Sequence, residues 1–302
     1  MTIKRQEVLE KRSSYLDVNA DAFKGNSNER NEYIEFMLSN NYALSDYQIS
    51  LCIGLLLSDA SFDVNFQNKA TRLKTQQKTG HKEWLVNVKK SLLELTASDK
   101  GIGQTAESRN MIELDTLKCP YFFELLQYFH SKDSINSRNL GAKGIMPSIK
   151  PWINPVTVAN WFCGDGGKAD FTQNQGKGIT FNTQGFKKED CQILCDALSE
   201  NLGIEALVKK DSSSPEQYRI DTVGKNLGFF PKDKTTSLFC PSGASYDRFI
   251  EIVGPYIDPC FKSKLPTPRV AKSRWGYMTS ELFEACVSSQ LTTPGIVENW
   301  KP

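Results

Sequence analysis

The chain has 302 residues, of which 39% are hydrophobic and 11% aromatic, so it can bury one large hydrophobic core or two modest ones. This composition excludes intrinsic disorder, and no apolar run reaches the roughly 20 residues that a membrane span requires. The N-terminal stretch mixes basic and acidic side chains without an apolar core. We therefore expect no signal peptide, no transit peptide, no membrane partner and an intracellular location.

The metal-ligating residues are few and scattered. The sequence holds 8 cysteines and 2 histidines, and no cysteine pair has the CxxC spacing. Cys191 and Cys195 lie four residues apart on a predicted helix, but nothing nearby supplies the two further ligands of a zinc site. We expect reduced, buried thiols instead, and two histidines make a histidine-based catalytic triad a poor candidate.

Charge is distributed unevenly along the chain. Residues 1–65 carry six Lys/Arg and ten Asp/Glu, whereas residues 66–92 carry seven Lys/Arg and a single Glu. Two more basic stretches run from Lys132 to Lys187 and from Lys209 to Arg274. Any one of them could be ordinary solvated surface. Three basic stretches, each beside a predicted strand, favour a polyanionic partner.

The first half of the chain predicts one alternating series of helices and strands. After a polar leader, Ser45 and Gln48 form a capping-box pattern, S-x-x-Q, which begins an apolar helix ending at Asp59. Apolar periodicity then predicts strands over 71–77 and 111–117, a strand near 97–106, and helices over 81–95 and 120–130.

The second half repeats this order. Helices are predicted over 156–165, 187–202 and 246–257, and strands over 178–184, 204–210 and 217–222, with an insertion at 223–244 before the last helix. Thr75-Gln76 recurs as Thr183-Gln184 at an offset of 108, and Asp59 recurs as Asp165 at an offset of 106. The sequence therefore predicts an α+β fold built from a duplicated αββαββα module. The predicted divisions are an N-terminal extension (1–44), two half-domains (45–150 and 151–266) and a C-terminal tail (267–302).

Each module has an aspartate at the end of its first helix. Small residues at helical spacing, such as Gly54 and Ser58, would let the two helices approach closely and bring Asp59 and Asp165 together. Adjacent carboxylates repel unless divalent cations lie between them, and such pairs with bridging metals hydrolyse phosphodiesters. The alternative, that each aspartate is merely exposed at a helix end, suits one such residue better than a matched pair.

Alternation in the strands predicts a polar sheet face. Leu73 in the first module, and Ile179 and Phe181 in the second, mark the buried sides of their strands. Long polar side chains on the opposite sides suit hydrogen bonding to base edges in a major groove, although ordinary solvent-facing positions would also be polar. The predicted nucleic-acid contacts are Arg72, Lys74, Gln76, Lys168, Thr180, Asn182, Gln184, Lys209 and Arg219.

Two segments carry a family resemblance. The sequences CIGLLLSDA and VANWFCGDGG resemble the two signature helices of the LAGLIDADG homing endonucleases, in the single-chain form with two motifs. The similarity continues through FNTQ, YRID and KLP, and covers roughly Ser45 to Pro266. The resemblance implies that each saddle-shaped antiparallel sheet lies on DNA and that the protein acts as a monomer.

The resemblance also implies roles for individual residues. Asp59 and Asp165 match the metal-binding catalytic aspartates of the family, and Lys264 and Lys143 match basic residues that flank its active sites. The sequence departs from the family at Ala60, where the first motif commonly has glycine.

The predicted activity is sequence-specific cleavage of double-stranded DNA that initiates the mobility of an intron or similar element. Mg²⁺ is the expected cofactor, with Mn²⁺ or Ca²⁺ able to substitute for binding, and no covalent enzyme intermediate is required. Two alternatives remain open, namely an intron-splicing maturase that binds RNA and a DNA-binding regulator. The retained aspartate pair favours cleavage over both. If the gene belongs to an organelle, the protein would act in a mitochondrion or chloroplast.

Overall fold

The computed structural model describes residues 3–23, 25, 27–97, 102–104, 110–168, 178–211, 214, 216–222, 225–230, 233–240 and 242–265. The predicted C-terminal tail, 267–302, lies outside these ranges. The chain divides into two compact units, residues 1–127 and 128–302. The half-domain boundaries drawn from the sequence stay a prediction. No helix within the described ranges is both long and apolar enough to cross a membrane.

The described residues of the first unit form five α-helices and one antiparallel sheet. Its helices are α1 (Arg5–Val18), α2 (Asn28–Ser39), α3 (Asp46–Leu57), α4 (Lys82–Ser91) and α5 (Pro120–Phe123). Its strands are β1 (Ser61–Asn65), β2 (Ala70–Lys78), β3 (Gly103–Gln104) and β4 (Met111–Asp115), in the spatial order β1-β2-β4-β3. Short 3₁₀ turns follow β2, α4 and α5.

The N-terminal extension packs against the rest of the first unit. The Arg5 guanidinium forms a two-pronged ion pair with Glu94, with Nε 2.8 Å and one terminal nitrogen 2.9 Å from the carboxylate oxygens. Arg12 donates to the backbone oxygen of Thr96 at 3.1 Å, and the Tyr33 hydroxyl donates to that of Glu94 at 2.9 Å. Glu94 is fully buried. Residues 3–44 therefore complete the core next to α4.

In the described part of the second unit, the chain forms four α-helices, a four-stranded sheet and a hairpin. The helices are α6 (Lys132–Asn136), α7 (Pro155–Asp165), α8 (Lys188–Leu202) and α9 (Ser242–Ile252). The main sheet comprises β5 (Gly166–Lys168), β6 (Ile179–Asn182), β7 (Ala206–Lys210) and β8 (Tyr218–Thr222), in the order β5-β6-β8-β7. The insertion forms the hairpin strands β9 (Lys225–Phe230) and β10 (Asp233–Cys240).

The duplicated module is confirmed. The series α3-β1-β2-α4-β3-β4-α5 recurs as α7-β5-β6-α8-β7-β8-α9, and the two sheets have matching strand orders. Helix α8 ends at Gly203, whose φ of 64° lies in the left-handed region that favours glycine.

Several elements differ from the prediction. Helix α3 ends at Leu57, two residues before the predicted end. The predicted helix 120–130 is a four-residue α-helix followed by the 3₁₀ turn Glu124–Tyr128. Strands β1 and β5 lie outside the predicted elements: β5 has three residues, Gly-Gly-Lys, and in β1 the alternation of Phe62 and Val64 with polar residues extends over five residues.

Candidate active site and nucleic-acid interface

Asp59 lies two residues beyond the buried helix α3. The capping box forms as predicted, because Gln48 N donates to Ser45 Oγ at 3.3 Å and Ser45 N donates to Gln48 Oε1 at 3.0 Å. After the helix, Ala60 N donates back to the Leu55 carbonyl at 2.9 Å, which buries Ala60. The exposed Asp59 therefore stands between the half-buried Ser58 and the buried Ala60, in a turn held by the helix end.

Two residues that the sequence did not single out support Asp59. Gln77, on β2, donates its side-chain amide to the Asp59 carboxylate. The other end of this amide, Oε1, lies 2.9 Å from His81 Nδ1. His81 and Gln77 thus form a hydrogen-bonded series that ends on Asp59. The sequence feature that points to this support is a glutamine on the buried side of β2, where Gln77 is 7% exposed.

Asp165 is the last residue of α7 and is half-buried. The Asn154 side chain accepts from Thr157 N at the start of this helix, and Pro155 occupies its first turn. Gly166 follows Asp165, and its N–H donates to the Phe162 carbonyl. A Cβ at Gly166 would lie 2.5 Å from that carbonyl oxygen and closer still to the Phe162 ring. The chain can therefore turn from Asp165 into β5 only through glycine.

Lys264 binds the end of α7. Its ammonium donates to the carbonyl oxygens of Cys163 at 2.8 Å and Gly164 at 2.7 Å, immediately before Asp165. The last carbonyls of a helix lack partners within the helix and carry partial negative charge, which a lysine satisfies. Burial raises the pKa of the neighbouring Cys163 thiol to about 12, so this thiol is neutral. The structure places Lys264 beside the predicted catalytic aspartate of its unit.

Lys143 has an aromatic environment. Its ammonium lies 5.8 Å from the ring centre of Phe129 and 5.7 Å from that of Phe186. It also contributes to the environment of His130, whose pKa is lowered mainly by burial and further by the Lys143 charge. The role of Lys143 beside an active site stays a prediction.

The aspartates fit a metal site only in part. Across the described residues, no group of three or more His, Cys, Asp and Glu side chains could hold an ion alone. Asp59 and Asp165 do supply the hard oxygen donors that Mg²⁺ prefers. This ion commonly takes one or two carboxylates and completes its shell with water and substrate phosphates. The donor set therefore suits an ion shared with a nucleic acid, and the joining of both aspartates in one site stays a prediction.

The outward face of the first sheet has the predicted polarity. Along β2, Thr71, Leu73, Thr75 and Gln77 are buried, while Arg72, Lys74 and Gln76 point away from the core. The first residue of this row, Arg72, lies opposite Asp63 of β1 in register.

Acidic side chains interleave with these predicted contact residues. Asp63 accepts from Arg72 Nη2 at 2.6 Å and Nε at 3.2 Å, and from Lys118 Nζ at 2.8 Å. The hydrogen bond from Lys118, with those from Arg72, lowers the pKa of Asp63 to about 2. Asp115 lies 3.1 Å from Arg72 Nη1, and Gln76 donates to Glu113 at 3.2 Å. Acidic and basic side chains therefore alternate across the outward face of the first sheet.

The second sheet has a related face built around Asp221. Thr180 and Asn182 point outward from β6, opposite Asp221 and Arg219 of β8. Asp221 accepts from the Thr180 hydroxyl at 2.7 Å, and lies 3.1 Å from Lys209 Nζ and 3.3 Å from Arg219 Nε. Four of the predicted contact residues therefore lie on one face.

Two predicted contacts lie outside this row. Gln184 follows the end of β6 and is half-buried, with its amide nitrogen 3.4 Å from Asp211 Oδ2. Lys168 is exposed, but the strand register pairs it with Ile179, whose side chain is buried. Its position therefore belongs to the opposite face of the sheet from Thr180 and Asn182. The nucleic-acid contacts of both residues stay predictions.

The fold and its duplicated acidic helix ends define a known class of protein. The sequence profile of the LAGLIDADG DNA endonuclease family matches residues 49–230, and the chain belongs to this family.

The chain is similar to two yeast proteins and one solved structure. A probable intron-encoded endonuclease 1 of Wickerhamomyces canadensis is 29% identical over 123 residues, which cover 39% of this chain and 44% of that protein. The cytochrome b mRNA maturase bI2 of Debaryomyces hansenii is 23% identical over 244 residues, covering 78% of this chain and 79% of the relative. The match therefore spans less than half of the first relative and most of the second.

The solved structure is the homing endonuclease I-WcaI bound to its DNA recognition sequence. It superposes with a TM-score of 0.62 and 23% identity, and the match covers 83% of this chain and 100% of that one. At this identity the likeness establishes the shared fold.

Proposed function

We propose that this protein is a site-specific endonuclease that hydrolyses one phosphodiester in each strand of a double-stranded DNA target. The observation that carries the proposal is the duplicated acid. Asp59 and Asp165 occur at the same place in two copies of one module, each backed by its own polar support. A protein that only binds nucleic acid has no need of an acid at both of these positions.

Asp59 and Asp165 would hold divalent cations, with Mg²⁺ as the expected ion. When bound, such an ion supplies Lewis acidity at the scissile phosphate and lowers the pKa of the attacking water. Gln77 orients the Asp59 carboxylate through its amide, and His81 fixes the direction of that amide. Lys264 would place a positive charge beside Asp165, where negative charge develops as the phosphodiester is cleaved.

The outward faces of the two sheets would bind the target DNA. Arginine and lysine there can reach phosphates, and arginine, asparagine and glutamine can pair with base edges in a major groove. The chain would act as a monomer because it contains both copies of the module.

A splicing role is the second candidate, and one observation favours it. A relative that aligns over 78% of this chain is named as a cytochrome b mRNA maturase. Intron RNA is therefore a possible second partner, and an intron origin would place the protein in an organelle. Retention of Asp59 and Asp165 favours cleavage as the primary activity, and both activities can reside in one protein.

The test is cleavage of a plasmid library that carries a randomised insert, using the full chain with Mg²⁺. We expect one family of inserts to be cut in both strands. Ca²⁺ should support binding of the selected insert without cutting. Tight binding of intron RNA, with no insert cut in Mg²⁺ or Mn²⁺, would overturn the nuclease proposal in favour of the maturase.

A further inference from the structure

On each sheet, a carboxylate contacts two or more of the basic side chains near the outward face. On the first sheet, Asp63 engages Arg72 and Lys118, and Lys74 Nζ lies 3.9 Å from it. On the second sheet, Asp221 engages Lys209 and Arg219. We call Asp63 and Asp221 the acidic hubs. Family membership does not by itself explain acids on a face that should meet a polyanion.

We infer that the acidic hubs determine the DNA sequence specificity of this protein. This inference rests on the proposed function, in which these faces bind DNA. The hubs themselves touch mainly their neighbouring side chains, so they would act as positioning residues for the basic side chains that meet the bases.

The hubs affect the binding of phosphate. An unrestrained lysine or arginine binds phosphates of any sequence and releases counterions, so it raises affinity without discrimination. A carboxylate beside it cancels part of that attraction and repels the backbone. The hubs therefore weaken binding to wrong sequences more than binding to a sequence that offers compensating base contacts.

Asp63 also affects the orientation of the Arg72 side chain. A guanidinium has five N–H donors in a fixed plane, and Asp63 engages Nε and Nη2 of Arg72 while Asp115 lies 3.1 Å from Nη1. Two flanking acids leave N–H donors for a guanine edge and fix the plane in which they lie. A side chain ordered before binding loses less entropy when it pairs with a base.

The two hubs occupy different positions in the repeat. Asp63 lies on the edge strand β1, opposite Arg72 of β2. Asp221 lies on the interior strand β8, opposite Thr180, at the position that Asp115, opposite Lys74, has in the first sheet. Both modules therefore have an acid at this interior position, and Asp63 adds a second acid to the first sheet.

The experiment compares Asp63→Asn and Asp221→Asn with the wild-type chain. The matched control is Glu251→Gln, which also removes one negative charge and breaks an ion pair, with Arg248 on α9. The probes are the duplex that the wild type selects from a randomised library and a scrambled duplex of equal length and composition. Dissociation constants are measured in Ca²⁺ at several salt concentrations.

We expect each hub variant to bind the scrambled duplex about three- to tenfold more tightly, with a salt slope steeper by about 1, because roughly one more phosphate is neutralised. The selected duplex should gain less or weaken, so the specificity ratio falls. The control should leave both quantities unchanged.

Two outcomes overturn the inference. One is a specificity ratio and salt slope equal to those of the control, and the other is an equal loss of affinity for both duplexes. If Asp221→Asn fails to fold, Asp63→Asn decides the question, because the Asp63 side chain is 32% exposed and its replacement perturbs little packing. If the wild type binds the selected and scrambled duplexes equally, the proposed function is overturned as well. If the wild type prefers the selected duplex and the hub variants keep that preference, the inference about the hubs alone is overturned.

Discussion

Replacing Glu94 by glutamine should loosen the N-terminal helices α1 and α2 from the rest of the first unit. The carboxylate is fully buried and accepts four hydrogen bonds, two from Arg5 and one each from Tyr42 and Gln48. Glutamine keeps the shape and one acceptor oxygen. Its amide nitrogen, however, would face a donor of Arg5 or Gln48, and the remaining bonds would lose the negative charge.

The expected cost is about 3 kcal/mol. Hydrogen bonds to a charged group contribute about 1.5–3 kcal/mol and neutral ones about 1 kcal/mol, so four weakened bonds could cost more. Breaking a buried ion pair typically costs about 3–5 kcal/mol. We take the lower end because the Arg5 side chain is 45% exposed and can return to water. A cost of this size corresponds to about a 100-fold change in an equilibrium constant.

The effect should depend on pH. Burial raises the pKa of Glu94, but hydrogen bonds from Arg5, Tyr42 and Gln48 outweigh it and hold this pKa below its ordinary value of 4.5. A carboxyl group whose pKa is lower in the folded state stabilises the fold above its unfolded pKa. The advantage of the wild type over Glu94→Gln should therefore shrink as the pH falls below 4.5 towards the folded-state pKa.

Hydrogen exchange of the full chain, read by mass spectrometry, measures this directly. Peptides from α1 and α2 should exchange about 100-fold faster in Glu94→Gln, and the ratio to the wild type at each pH cancels the intrinsic rate. The control is Glu10→Gln, an exposed acid on α1 that accepts from Gln6. Protection in α1 and α2 that matches the control, or a ratio independent of pH, would refute the reasoning.

Further predictions concern the second module. Gly166→Ala should cost at least about 1–3 kcal/mol, measured by thermal unfolding, because the added methyl meets both the ring and the carbonyl of Phe162. The control Ala60→Gly, at the equivalent position of the first module, should cost no more than about 1 kcal/mol. Equal melting temperatures for the two variants would contradict the expectation that the second module requires glycine at this position and the first does not. Lys264→Met should slow DNA cleavage by about 100-fold with little change in target affinity. Lys262→Met, at an exposed position in the same 3₁₀ turn, should cleave like the wild type, and equal rates in the two lysine variants would remove Lys264 from the site.

Local patterns in the sequence predict the parts of this fold that are determined locally. The capping box of Ser45 and Gln48 forms because both partners lie within one turn of the chain. The outward row of β2 is correct because side chains alternate strictly along a strand, so one buried residue, Leu73, sets the parity of its neighbours. The repeat is visible because its two copies keep equivalent residues at nearly constant offsets.

Contacts between distant residues escape this kind of prediction. Arg5 and Glu94 are 89 residues apart, and no periodicity indicates that a polar leader packs against a buried acid. The acidic hubs depend on which residues lie opposite each other, and that requires the strand register. The sheet face to which Lys168 belongs also depends on the strand register, through its pairing in β5. The support of Asp59 by Gln77 was detectable only as a polar residue on a buried strand side.

The central claim is that Asp59 and Asp165 are the catalytic acids of a DNA endonuclease. The most direct test is Asp59→Asn and Asp165→Asn in the full chain, each assayed for cleavage of the selected duplex in Mg²⁺ and for its binding in Ca²⁺. The proposed function predicts that each variant loses cleavage and keeps its affinity for the duplex. If both single variants still cut both strands at the wild-type rate, the catalytic assignment is wrong.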